Sequence, residues 1–377
     1  MKITAVHTYH VEHRLPRRTG PSTYLYPLRT TLLVRIETDA GLVGWGETAP
    51  IGAVQELIAQ RLGPSLLGQD PLAHRLLWRQ LWGANFGDPL AVAALDIALH
   101  DLRGKALGLP ITDLYGGRLR NQVPAYASAM NYIEGRQAAD HYPDEAAQLV
   151  AQGFRHLKMR LGGEPLAHDI AAAAAVRARV GADIRLMADA NGAYTPAHAI
   201  RMGRALEELD FAWFEEPLPQ PHYAGYEVLT DKLDIPIAGG EALGSRGAFK
   251  ELLQRRGVDI IQPDVSLCGG FAECLFVAEL ARLYATPAIP HCWGGAIVVA
   301  ATLHLLALLP DASWSRTTDT PLLELDTLEN LFRDRLADRD FRIQADGMLA
   351  VPTGPGLGIE IDEDLIRHHL IHHAAAT

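Results

Sequence analysis

Asp189, Glu215, Glu241, Asp264 and His291 follow one another at intervals of 26, 26, 23 and 27 residues. Each ends a short apolar run, and a strand with its return helix uses about that much chain. Asp189, Glu215 and Glu241 together suit a hard divalent cation with oxygen ligands. Mg²⁺ keeps positions for water or substrate, so three protein ligands are enough. Asp264 and His291 make a competent general base, because a carboxylate fixes the imidazole tautomer and raises its basicity. Lys158 and Arg160, at i and i+2, share one face of an earlier strand. The chemistry this set suits is removal of a proton from the carbon next to a carboxylate. Each residue alone has a plainer reading: a surface or ion-paired acid, or one structural histidine among sixteen. Their even placement at strand ends favours a site. Glu216 is expected to point away from Glu215, because strand residues alternate.

The elements that must hold these groups form two textures. Residues 3–11, 31–37 and 42–47 are β-rich, with Asp39-Ala40-Gly41 as a turn. Helical patterns follow at 53–62, 72–81 and 89–105, the second opening after Asp70-Pro71 as N-cap and N1. From Val123 onward, strands at 123–127, 155–160, 184–189, 212–215, 235–241, 258–264 and 288–291 alternate with amphipathic helices at 165–179, 196–209, 246–255 and 271–284. Alternation of this kind predicts a parallel sheet closed into a barrel, whose active site lies at the strand C-termini. The tail reads as a hairpin over 348–361, turning at Gly354-Pro355-Gly356 and packing back on the first domain. The expected divisions are a cap over 1–122, a barrel over 123–325 and a returning segment over 326–377.

Composition limits the rest. A net charge of −11 argues against a nucleic-acid footprint. The longest apolar stretch, 296–309, is broken by Thr302 and His304 and is too short to span a bilayer. Three cysteines without a CxxC pair, and no apolar leader, lead us to expect a cytoplasmic protein.

Several motifs now converge: Lys158-Met159-Arg160, Asp189-Ala190-Asn191, Trp213-Phe214-Glu215-Glu216-Pro217, Gly239-Gly240-Glu241, Gln262-Pro263-Asp264 and Pro290-His291. Ala94-Leu95-Asp96-Ile97-Ala98, in the helix leading to Tyr115-Gly116-Gly117, joins them. Over essentially its whole length the chain resembles the enolase superfamily, in the mandelate racemase and muconate lactonizing enzyme group. The resemblance implies a modified (β/α)7β barrel under an N-terminal α+β cap that the C-terminal tail completes. It implies one Mg²⁺ per subunit on Asp189, Glu215 and Glu241, with Asp264 and His291 as the base. It implies that Glu324 hydrogen-bonds the substrate carboxylate and that Lys158 contacts it. Arg160, Asn191 and, from the cap loops, Tyr24 are the further substrate contacts, with the Pro50-Ile51-Gly52 turn nearby. A homo-oligomer is expected.

One departure matters. Many members of the group carry a second lysine where this chain has Arg160, and that lysine is the base on the opposite face. A guanidinium stays protonated and is a poor base, though a good clamp for a carboxylate. One base followed by β-elimination is therefore favoured over two-base racemisation. That fits acid-sugar dehydratases and the cycloisomerases that open sugar lactones. The runs 262–271, 290–294, 324–326 and 354–361 resemble the galactarolactone cycloisomerases. The alternatives are a racemase or epimerase of a 2-hydroxy acid or amino-acid derivative, and a non-catalytic metal-binding homologue.

Overall fold

The computed structural model describes residues 1–84, 87–220, 222–313 and 320–377. Its N-terminal part is an antiparallel sheet of Ile3–Gly20, Tyr26–Thr38 and Val43–Thr48. The helix Pro89–Leu107 packs across it. Asp88 accepts a hydrogen bond from Ala91 N at its start, Pro89 takes the first turn, and Gly108 closes the end in the left-handed region. Asp101, fully buried in this helix, accepts from Trp45 N of the sheet, Lys105 Nζ and Leu357 N of the tail. One carboxylate thus ties three elements. The preceding helix, His74–Trp82, begins later than its sequence suggests. Asp70 accepts from Leu72 N at 3.0 Å and turns the chain without capping a helix.

The second part is a ring of parallel strands. Gln122–Ser128, His156–Arg160, Arg185–Asp189, Phe211–Glu215, Ile237–Gly239 and Ile260–Ile261 pair in that order. Residues 288–291 continue the ring through the bridges Ile261 to Ala288 and Asp264 to His291. Leu323–Asp326 closes on the first strand, Glu324 facing Tyr126. Among the described residues, seven helices cover the outside, from Tyr142–Ala151 to Ala296–Leu308. Among the described residues, eight staves and seven outer helices make a (β/α)7β barrel.

Alternation along the strands decides what faces the axis. Tyr126, Met187, Trp213, Ala238, Ile260 and Leu322 fill the lower interior. Two residues further along four of these strands, the inward positions become Ser128, Asp189, Glu215 and Glu324. The apolar plug supports a polar mouth.

Several parts of the chain depart from the sequence reading. The helices Tyr142–Ala151, Ala296–Leu308 and Tyr223–Lys232 were not read as helices. The second is buried all round, so it has no polar face to mark its period. In place of a 348–361 hairpin, Met348–Ala350 pairs antiparallel with the first barrel strand, Leu349 opposite Val123. The chain then passes the cap, Ile111 N donating to Gly356 O at 3.0 Å. A last strand, Leu370–Ala376, joins the edge of Ile3–Gly20.

Candidate active site

The strand ends bring the sequence-derived residues to one mouth. Carboxylate oxygens of Asp189, Glu215 and Glu241 lie within 4.8 Å of one another. Asp189 and Glu215 end their strands directly. Glu241 stands two residues past the strand Ile237–Gly239, and Gly240 between them has φ 117°. Only glycine adopts that angle without strain, and it turns Glu241 back to the mouth.

Lys158 is fully buried below the acids. Its ammonium pairs with Glu215, with Glu324 at 2.8 Å and with Asp189 at 3.6 Å. Burial opposes its charge, but the carboxylates outweigh burial and hold it well above the ordinary lysine range. Glu215 also accepts from Gln262 Nε2 at 2.7 Å and Trp213 Nε1 at 3.0 Å. Burial raises its carboxyl to about 7 despite Lys158.

On one side of this group, His291 Nδ1 donates to Asp264 Oδ2 at 2.6 Å. Ser266 N and Oγ both donate to the other oxygen of Asp264, each at 2.6 Å. His291 Nε2 is left facing the acids, 3.4 Å from Glu241 Oε2 and 3.9 Å from Glu324 Oε2. Burial would lower this imidazole, yet Glu241, Glu324 and Asp264 together push it well above its usual value. Glu324, whose strand the sequence marks poorly, is fully buried. Burial opposes its charge, but Lys158, His291 and Arg160 hold its carboxyl below the ordinary range.

Arg160 is placed differently from a free clamp. It pairs with Asp189 and donates to Asn191 Oδ1 at 3.2 Å and Ser128 Oγ at 3.1 Å. Only its buried Nε lacks a partner. Asn191 therefore orients Arg160. Tyr24 is 61% exposed and stands at the rim of a cavity of about 320 Å³ between cap and barrel. Tyr26, Arg29, Ser266 and Trp293 line the same space. Ile51 points to solvent.

Glu216 follows directly on the strand Phe211–Glu215. Its φ of 37° leaves the strand geometry, and its side chain is buried with Oε1 unpartnered. Burial and the neighbouring Glu241, Asp189 and Glu215 push its carboxyl well above the usual range.

The site fits a cation. Every candidate ligand is a carboxylate oxygen, and Glu241 Oε2 is buried without a hydrogen-bond donor. A buried oxygen left so is costly unless a cation or donor meets it. A second group, His74, Asp96 and His100, also gathers nitrogen and oxygen atoms. There His74 Nε2 and His100 Nδ1 already donate to Asp96, and His100 Nε2 accepts from Tyr115. Asp96 also accepts from Ala272 N at 3.3 Å, so these atoms are met by hydrogen bonds within the protein.

Sequence reasoning missed Ser128, Gln262 and Ser266, although each lies within two residues of a strand end already singled out. It also missed Glu47 and Trp293, which meet Gly295 N and Arg29 across the two domains. Among the described residues, no helix is long and apolar enough to cross a membrane.

Comparison with known proteins agrees with this architecture. Residues 4–116 match the mandelate racemase / muconate lactonizing enzyme N-terminal domain, and residues 141–365 match the enolase C-terminal domain-like family. D-galactarolactone cycloisomerase of Agrobacterium fabrum is 36% identical, covering 97% of this chain and 98% of its own. Arabinonate dehydratase of Saccharolobus solfataricus is 34% identical over 89% of each. The crystal structure of the 3,6-anhydro-D-galactonate cycloisomerase from Zobellia galactanivorans superposes with a TM-score of 0.88 at 34% identity, covering 99% of this chain and 100% of that one. With both halves matched and the barrel's acids in place, the chain belongs to the enolase superfamily, in its mandelate racemase / muconate lactonizing enzyme group.

Proposed function

We propose that this enzyme removes the proton next to the carboxylate of an acid sugar or its lactone and then expels a β-leaving group. This makes it a sugar-lactone cycloisomerase or acid-sugar dehydratase. The observation that carries the reading is the single base. His291 Nε2 faces the acids while Asp264 keeps the proton on Nδ1. With the charge of Glu241 neutralised at the cation site, that nitrogen loses its proton and can accept the α-proton. When the leaving group departs from the same face, the imidazolium so formed donates to it. Lys158, held in place by Glu324 at 2.8 Å, orients the substrate carboxylate and offsets its growing charge. Arg160 on the other side stays protonated and cannot accept a proton. Asp189, Glu215 and Glu241 would hold Mg²⁺, which when bound supplies further positive charge to the substrate carboxylate. The names D-galactarolactone cycloisomerase, arabinonate dehydratase and D-galactonate dehydratase among the relatives support the substrate class. Three buried free cysteines suit a reducing, cytoplasmic setting.

The test is turnover of mono- and diacid sugars and their lactones in D₂O with Mg²⁺. Water loss or lactone opening, with deuterium entering one configuration only, is the expected result. Labelling of both enantiomers of a recovered 2-hydroxy acid would establish a racemase.

A further inference from the structure

Glu47 and Thr48 are adjacent at the end of the cap strand Val43–Thr48, yet they grip two different barrel loops. Glu47 is 1% exposed. Its carboxylate accepts from Gly295 N at 2.6 Å, Val298 N at 3.2 Å and Thr31 Oγ1 at 2.8 Å. The first two donors belong to the N-terminal turn of the helix Ala296–Leu308, whose approach carries His291. A Cβ on Gly295 would lie 2.8 Å from Glu47 Oε1, so the approach depends on glycine. Thr48 Oγ1 donates to Ser266 O at 2.6 Å. Ser266 in turn holds one oxygen of Asp264 with its N–H and its hydroxyl, leaving the other oxygen for His291.

We propose that Glu47 and Thr48 form a clamp, borne by the cap, that positions the Asp264–His291 pair from both of its loops. The proposal rests on the dyad acting as the base. Both are positioning residues, because neither touches the imidazole or Asp264. The physical argument is one of tolerance and independence. A general base must be held within about 0.5 Å of its productive place. The loops bearing Asp264 and His291 reach the base from neighbouring staves, and one short cap segment fixes them to each other. A buried carboxylate must be matched by donors, and here those donors are backbone groups of the barrel, so the cap cannot shift without disturbing that loop. Docking of the cap and alignment of the base become one event.

Thr48→Val removes the hydroxyl and little else; Thr48→Ser keeps it. Both are compared with wild type and Glu47→Gln as full-length, Mg²⁺-loaded protein. The first readout needs no substrate: the downfield proton resonance of His291 Nδ1–H, assigned by its loss in His291→Asn. The second is kcat against KM on the acid sugar or lactone that wild type turns over. In Thr48→Val the resonance broadens or moves upfield. Its kcat falls by about 10- to 100-fold, with KM within about twofold. Glu47→Gln changes in the same direction, and Thr48→Ser recovers both readouts. A Thr48→Val protein with wild-type resonance and kcat, or with its loss confined to KM or to unfolding temperature, overturns the clamp. Retention of turnover in His291→Asn instead overturns the dyad reading, and the clamp falls with it.

Discussion

Asp264 divides its two oxygens between two tasks: Oδ2 receives His291 Nδ1–H, and Oδ1 is held by Ser266. With Asn at 264, the carbonyl stays with Ser266 and an NH₂ group meets a nitrogen that must itself donate. The imidazole is driven to the other tautomer, which has no free lone pair on Nε2. Asp264→Asn is expected to lower kcat and α-proton exchange in D₂O together, by about 10²- to 10⁴-fold. Mg²⁺ affinity, measured by calorimetric titration, is expected to stay unchanged.

The orphaned oxygen of Glu241 makes a different prediction. Mg²⁺ at 100 times its Kd is expected to stabilise wild type by about 2.7 kcal/mol, raising the thermal midpoint. Glu241→Gln loses that increment and its turnover. Its metal-free midpoint is expected to change little, because the loss of a buried charge is set against the loss of its pairing with His291 Nε2 at 3.4 Å. Scans with Mg²⁺ and with EDTA check both halves.

Lys158 neutralises Asp189, Glu215 and Glu324 at once. Lys158→Met leaves buried carboxylates without a cation and is expected to cost about 3–5 kcal/mol in denaturant unfolding at neutral pH. Adding Glu324→Gln removes one of those charges. The double variant should be more stable than Lys158→Met alone, a coupling that independent sites would not show.

His304 predicts an acid limb of stability outside the site. Burial pushes its imidazole down to about 4, against only one accepting partner, Leu357 O at 3.1 Å. The folded state therefore keeps it neutral while the unfolded chain titrates near pH 6.5. Its contribution is complete above about pH 6.5 and is lost as pH falls through about 4, a change on the order of 3 kcal/mol. His304→Leu should flatten unfolding free energy across that window, and an unchanged slope would sink the assignment.

The sequence carried the site better than it carried the frame. Asp189, Glu215, Asp264 and His291 were legible because strand ends recur at the period of one strand and helix, a property of local chain length. The burial of Glu216 was not legible, because its φ of 37° leaves the strand geometry that alternation assumes. The helix Ala296–Leu308 was passed over because burial on all sides erases periodicity. Glu47 and Thr48 gave no local signal, since their partners lie 248 and 218 residues away. Leu370–Ala376, mostly exposed and rich in His and Ala, lacks the alternation of a half-buried strand.

That final strand also sets a timetable. His7 and His373 meet across the cap sheet at a separation of 366 residues. At about 5–20 residues per second, a ribosome needs roughly 20–70 seconds to deliver the partner. Throughout that interval the strand Ile3–Gly20 exposes an open edge, the kind of surface to which another nascent chain can add. The enzyme's period of greatest exposure to misassembly thus precedes its first catalytic turnover and is set by translation speed.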